Sequence, residues 1–366
     1  MLRTTILAAA SWALASWSQA QTGGSLRLVQ TIPLPGVEGK MDHMAINLKG
    51  MRLFVPSEND KSIEIVDLRT GTLIHRIREL GGAPRKIIYK PDVNQFWVDL
   101  ASNVCKSYDA DSYTFLKEVP LSPVDAETGP TREPDNGIYD PATQLFYIGN
   151  RGDLSKAGAK GSIDIVDTKR GSFVKGIKVD DSDPAAFGID RATSKLYVLY
   201  GATSQVAVLD LQKHNVLALW PITGGNASHA MTLDAAHHRL FIGSRVQPGH
   251  FYKPGKMIVM DSDSGKVIQA LDSEGGADEL EIDPSSQLIY LTGASGGINV
   301  YKELDPDHYK LIDILQTGAL AKTSLLVPEL KRLYVAVPKH IILIPPIPQS
   351  AEFGVEDAKI LVFEVP

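Results

Sequence analysis

Apolar and polar residues alternate in short runs along most of the chain, and the runs recur as a unit. The first unit shows the pattern whole: His43-Met44-Ala45-Ile46-Asn47, Leu53-Phe54-Val55, Ile63-Glu64-Ile65-Val66-Asp67, Gly71, then Leu73 to Ile77. Period-two alternation with β-branched residues predicts four short strands joined by tight turns. The aromatic residue of the second strand recurs as Phe54, Trp97, Tyr147, Tyr197, Phe241, Tyr290 and Tyr334, at steps of 43, 50, 50, 44, 49 and 44 residues. A period of about 40–50 residues is that of a four-stranded propeller blade.

Seven units predict an all-β, seven-bladed β-propeller. The third strand returns as Ile163 to Asp167, Val206 to Asp210 and Met257 to Asp261, and glycine pairs such as Gly81-Gly82 and Gly275-Gly276 mark blade junctions. The seventh unit stops after Ile360 to Val365, one strand short, while Leu26 to Leu34 has strand character and no unit of its own. The N-terminal strand is therefore expected to complete the last blade and close the ring, which leaves no open sheet edge. An open β-solenoid is the alternative.

The Leu-aromatic-Val strands (Leu196-Tyr197-Val198, Leu333-Tyr334-Val335) and the Ile-x-Ile-Val-Asp strand with its following glycine resemble the YVTN-repeat, YncE-like propellers over nearly all of residues 25–366. That resemblance implies the fold and frequent export. It does not choose a function, since members include apparent DNA binders, relatives of the propeller subunit of quinoprotein amine dehydrogenases, and proteins without a known role.

The chain's 366 residues are 43% hydrophobic and 22% charged, with a formal net charge of -6 and no Lys/Arg run, so composition gives no argument for nucleic acid. Arg3, the apolar Ile6 to Ala15 and Ser18-Gln19-Ala20 read as a signal peptide over residues 1–20, with 21–366 the mature domain and a periplasmic or secreted location. The apolar run is too short for a membrane span, and an uncleaved anchor is the alternative. Cys105 has no partner cysteine and stands where other units carry an apolar strand residue, so a buried inert thiol is expected.

Loop lengths point to one face. The long connections Leu121 to Pro134, Arg151 to Lys160, Arg245 to Lys256 and Lys339 to Lys359 all fall on the face where the first strand begins, the top face. The first strands there start with Asp42, Arg85, Asp135, Ala185, His229, Asp278 and Lys322. The next positions are His43, Lys86, Asn136, Ala186, Ala230, Glu279 and Thr323. Solvated strand ends are one reading. A site is the other, with Asp135, Asn136, Asp278 and Glu279 as oxygen ligands for a divalent metal such as Ca²⁺, or with His43 and His229 for Zn²⁺. Arg151 and Arg245 share one repeat position and suit a forked grip on an anion, with Gly201 between them leaving space; surface salt bridges are the alternative. His250 and Tyr252 lie in the blade-five loop and could cover such a ligand. His237-His238 occupies a bottom turn where neighbouring side chains diverge, so a metal pair is not expected there.

Two functions follow. One is an exported propeller that binds a small anionic ligand or a protein partner on its top face, with Arg85, Asn136, Arg151, Arg245 and Tyr252 as contacts. The other is a channel-mouth enzyme, a metal-assisted hydrolase, lactonase or lyase, with His43 or His229 as base and Glu279 as acid or ligand. DNA binding is a weaker third, resting on Arg85, Lys86 and Lys322. No Ser/His/Asp elbow, phosphate-binding glycine loop or haem-attachment motif is present.

Overall fold

A computed structural model describes residues 25–245, 253–344 and 352–366. The four-residue turns of the repeat bring successive strands together as antiparallel neighbours, and these form seven four-stranded sheets. Blades one to six each use four consecutive strands, for example Pro184–Asp190, Lys195–Tyr200, Gln205–Asp210 and Val216–Pro221 in blade four. Blade seven runs in the order Arg27–Pro33, Lys359–Glu364, Arg332–Val337, Thr323–Val327. The N-terminal strand is thus the outer strand of the last blade, with Ile32 opposite Ile360 and Arg27 opposite Glu364. An added hairpin, His340–Ile344 with Glu352–Glu356, rises from blade seven. The single helical element among the described residues is a 3₁₀ turn at Pro328–Leu330, and no helix is long and apolar enough to cross a membrane.

Each apolar cluster lies between two neighbouring blades. Leu53 and Val55 of blade one meet Tyr334 and Val362 of blade seven, and Trp97 and Cys105 of blade two meet Phe146 and Ile148 of blade three. Seven such cores fill seven interfaces, so the ring is closed without a seam. All seven aromatic anchors are buried in these cores. Middle strands are packed on both faces, which explains their near-continuous apolar runs. Cys105 is fully buried, and burial pushes its thiol well above the ordinary value.

The innermost strands carry a shared irregularity. Pairing with the second strand skips Arg85 and Lys86, Asp135, Ala185, His229 and Asp278 in blades two to six. Each skip is a β-bulge, which turns side chains out of strict alternation. Blade one has the same surplus, since between the Met41–Ser57 bridge and the Ala45–Phe54 pair the inner segment carries three residues against two, and Asp42 and His43 both reach partners from other blades. Glycine at Gly149 permits the close approach this requires, because a Cβ there would stand 2.0 Å from the carbonyl oxygen of Pro184 in the next blade.

Candidate functional site

The bulged positions meet at the top of the channel as an ion-pair ring. The Arg85 guanidinium is held by Glu58 and Glu133, with Asp42 at 3.4 Å. The Lys322 ammonium lies 2.8 Å from Asp278 and 3.4 Å from Asp42. Arg245 donates to Asp278 and, at 3.1 Å, to the Ala277 carbonyl. Arg151 reaches Asp135 at 2.5 Å through Nη2 and Asp183 at 2.6 Å through Nε. His229 sits among three aspartates, 3.7 Å from Asp135, 3.7 Å from Asp183 and 3.5 Å from Asp278. Asp183 and Asp278 are held well below the carboxylate range: burial opposes this, but Arg151 and His229 at the first and Lys322, His229 and Arg245 at the second outweigh it. Glu58 goes the other way, pushed up to about 7 by burial and the neighbouring Asp42 charge against the pull of Lys322 and Arg85.

These groups form the floor of a cavity of about 500 Å³ that opens on the top face. Its rim is less polar: Leu154, Gly201, Ala202, Ala227, Ala294 and Leu320 line it. One wall is braced by the two long loops of blade three, which are stitched together by backbone bonds from Asp153 to Thr128 and from Lys160 to Glu127. Both arginines reach the cavity, each already paired with carboxylate. Gly201 lines the cavity between the two arginines as expected, and a Cβ there would lie 2.7 Å from the Asp183 carboxylate, so the position has room for no larger residue without moving that group. Ala185 and Ala186 are buried in the ring and do not form part of the lining.

A second layer lies below. His43 shares a 2.6 Å hydrogen bond with Glu279 through Nδ1 and has Asp42 at 3.3 Å from Nε2. Burial would lower the His43 pKa, but Glu279 and Asp42 raise it above its ordinary value. Asn136 spends its side-chain oxygen on the Gly137 amide, 2.8 Å away. The four candidate metal ligands are thus separately engaged: Asp135 by Arg151, Asn136 by Gly137, Asp278 by Arg245 and Lys322, Glu279 by His43. Tyr252 and His250 lie outside the described residues, as do residues 1–20.

Several members of the site have no counterpart in the sequence reading. Glu58, Glu133 and Asp183 hold the arginines from neighbouring blades and loops. Asp99 is fully buried and pushed up to about 7 by burial; its Oδ1 accepts the Lys86 amide at 2.6 Å, and its Oδ2 has no hydrogen-bond partner. Glu281 is pushed up to about 8 by burial and by Glu279 beside it, and accepts the Leu326 amide. A signal for both was present, because each is the one charged residue at its repeat position. Asp99 aligns with Pro56, Gly149, Leu199, Gly243, Thr292 and Ala336; Glu281 aligns with Ala45, Ile88, Ile138, Gly188, Thr232 and Leu325.

No protein-family model matches the chain, and no curated protein does. Solved structures match in fold. A chain of the structure titled "Crystal Structure of Mitotic Checkpoint Complex" aligns with a TM-score of 0.69 at 13% identity, covering 100% of this chain and 99% of that one. Kuenenia stuttgartiensis hydrazine synthase aligns at 0.66 and 15% identity over 88% and 98%. The WD40 repeats of RRP9 align at 0.69 and 9% identity over 93% and 100%. The likeness is one of fold, a seven-bladed β-propeller, a scaffold that commonly presents a binding face to a ligand or a protein.

Proposed function

We propose that this chain is an exported, YVTN-repeat-type propeller whose top mouth binds a small molecule with an anionic group and an apolar body. One observation carries the reading: a concave cavity of about 500 Å³ whose charged floor is fixed in place before any ligand arrives. Ligand sites run to roughly 300–1,000 Å³ and combine apolar walls with a few placed polar groups. Five cationic side chains line this cavity (Lys40, Arg85, Arg151, Arg245, Lys322) against four carboxylates (Glu58, Asp135, Asp183, Asp278). Glu58 takes up a proton near neutral pH, which removes one of the negative charges facing the cavity. An anion would meet donors already oriented by their carboxylate partners, so little ordering cost remains. The test is a thermal-shift and calorimetric panel of benzoate, citrate and inorganic phosphate against uncharged analogues of similar size. Saturable binding of an anion and not of its neutral analogue supports the reading. Equal or absent binding across the panel overturns it.

A second reading, a hydrolase or lactonase at the same mouth, is favoured by His229. Its imidazole lines the cavity 3.5–3.7 Å from three aspartates, a placement that suits a base accepting a proton from water. Turnover of a lactone panel by the wild type, lost in His229→Gln, would establish it.

A further inference from the structure

On the face opposite the cavity, the repeat breaks its own rule twice, and the two departures touch. In blades three, four and six, the aspartate ending the first strand uses one oxygen to accept a hydroxyl three residues on: Thr143 to Asp140, Thr193 to Asp190, Ser286 to Asp283. In blade five that hydroxyl is replaced by an imidazole, and His237 Nδ1 lies 2.8 Å from Asp234 Oδ2. The second departure is Glu303 in blade six. Its amide donates to the carbonyl of the left-handed turn residue of its own blade, Gln287. The residues making the same bond in the other blades are Leu68, Ala110, Thr168, Leu211, Ser262 and Val365. Blade six alone puts a carboxylate there, and its Oε1 lies 3.1 Å from His237 Nδ1.

We propose that Asp234, His237 and Glu303 form a binding site for a divalent transition-metal ion, of which Zn²⁺ and Mn²⁺ are the fitting examples, that clips blade five to blade six. The three ligand atoms lie within 4.8 Å of one another. One imidazole nitrogen facing two carboxylates is poorly served by a proton, which can lie along only one of the two contacts. A cation among the three atoms serves all of them. The cations nearby are committed elsewhere. Arg239 is held by Asp261, Asp307 and the Pro306 carbonyl, and Lys302 by the Ser286 carbonyl and Gln287. Glu303 is almost wholly buried, so a positive charge at this point offsets the cost of taking its carboxylate out of water. His237 is 40% exposed and gives the ion a path from solvent. One nitrogen and two carboxylate oxygens, with one water completing a tetrahedron about Zn²⁺ or several waters an octahedron about Mn²⁺, suit these ions better than Ca²⁺, which gathers about 6–8 oxygens.

The test uses the purified mature chain, stripped with chelator and dialysed against Zn²⁺ or Mn²⁺. Metal content and melting temperature are read for wild type, His237→Thr and Glu303→Leu. Each variant installs a residue that the repeat itself carries at that position, so the blade geometry is kept. The expected result is one ion per wild-type chain and a melting temperature that rises when the ion is restored. Both variants should lose the ion and the rise, with affinity falling by more than the roughly 10–100-fold that follows loss of an outer partner alone. A wild type that holds no stoichiometric ion overturns the proposal. So does retention of the ion in both variants, which would place it elsewhere, at the channel histidines for instance.

Discussion

His43 and Glu279 are 236 positions apart in sequence and belong to blades one and six, yet their side chains share a 2.6 Å hydrogen bond across the front of blade seven. The contact exists because bulges turn the starts of the inner strands into the channel, and because a ring brings its ends together. Its consequence is a pH dependence of stability. The folded His43 pKa stands above 6.5, so the fold gains by holding the proton. That contribution is complete below about pH 6.5 and is lost as pH rises through the folded value. Chemical denaturation from pH 6 to pH 9 should show the decline, and Glu279→Gln should flatten the His43 part of it. Removing one partner of a buried pair costs about 3–5 kcal/mol, so this variant should also be less stable at pH 6.

Asp99 and Glu281 add to the same slope by another route. Their folded values, about 7 and about 8, lie above the ordinary 3.8 and 4.5, so each is held protonated in the fold. Stability from these groups is full below the unfolded values and falls as pH climbs towards the folded ones, by up to about 1.4 kcal/mol per pH unit for each proton. Asp99→Asn and Glu281→Gln keep an acceptor for the Lys86 and Leu326 amides without the charge. Both should be more stable than wild type at pH 8.5 and no more stable at pH 4. Unchanged stability at pH 8.5 would show that water already solvates these carboxylates.

The ring was legible in the sequence because its information is repeated. Seven aromatic anchors and a strand missing from one end and surplus at the other leave few arrangements. The mouth was legible in part for the same reason, since Asp42, Arg85, Asp135, His229, Asp278 and Lys322 share an aligned position and do meet. Pairing within the mouth was not legible. Arg151 takes Asp183 from the next blade and Arg85 takes Glu133 from the second of its two neighbours, and nothing periodic specifies contacts between blades.

The closing strand yields a contrast within seven residues. Ile32 is fully buried between blades seven and one, whereas Leu28 is half exposed on the same strand. Ile32→Ala should cost about 2–5 kcal/mol, the usual range for a buried large-to-small change, and Leu28→Ala should stay within about 0.5 kcal/mol. Equal effects in urea melts would mean that the strand closes the ring only through its backbone.

The arginines decide between a site and a set of braces. Arg151 grips Asp135 and Asp183 with different nitrogens, and Arg245 grips Asp278 and a carbonyl, so each guanidinium is aimed before a ligand comes. Lysine at either position keeps the charge but offers a single point of contact, and it cannot span two acceptors in one plane. If these groups receive an anion, Arg151→Lys and Arg245→Lys should each weaken it by about 10–100-fold, the scale of one hydrogen bond to a charged group at about 1.5–3 kcal/mol. Stability should fall as well, since the lysine also loses one of its carboxylate or carbonyl contacts. The measurement is therefore calorimetric binding at a temperature where both variants are fully folded. Weaker binding by folded variants supports the clamp. Folded variants that bind the anion as tightly as wild type would make the two arginines structural braces of the channel mouth.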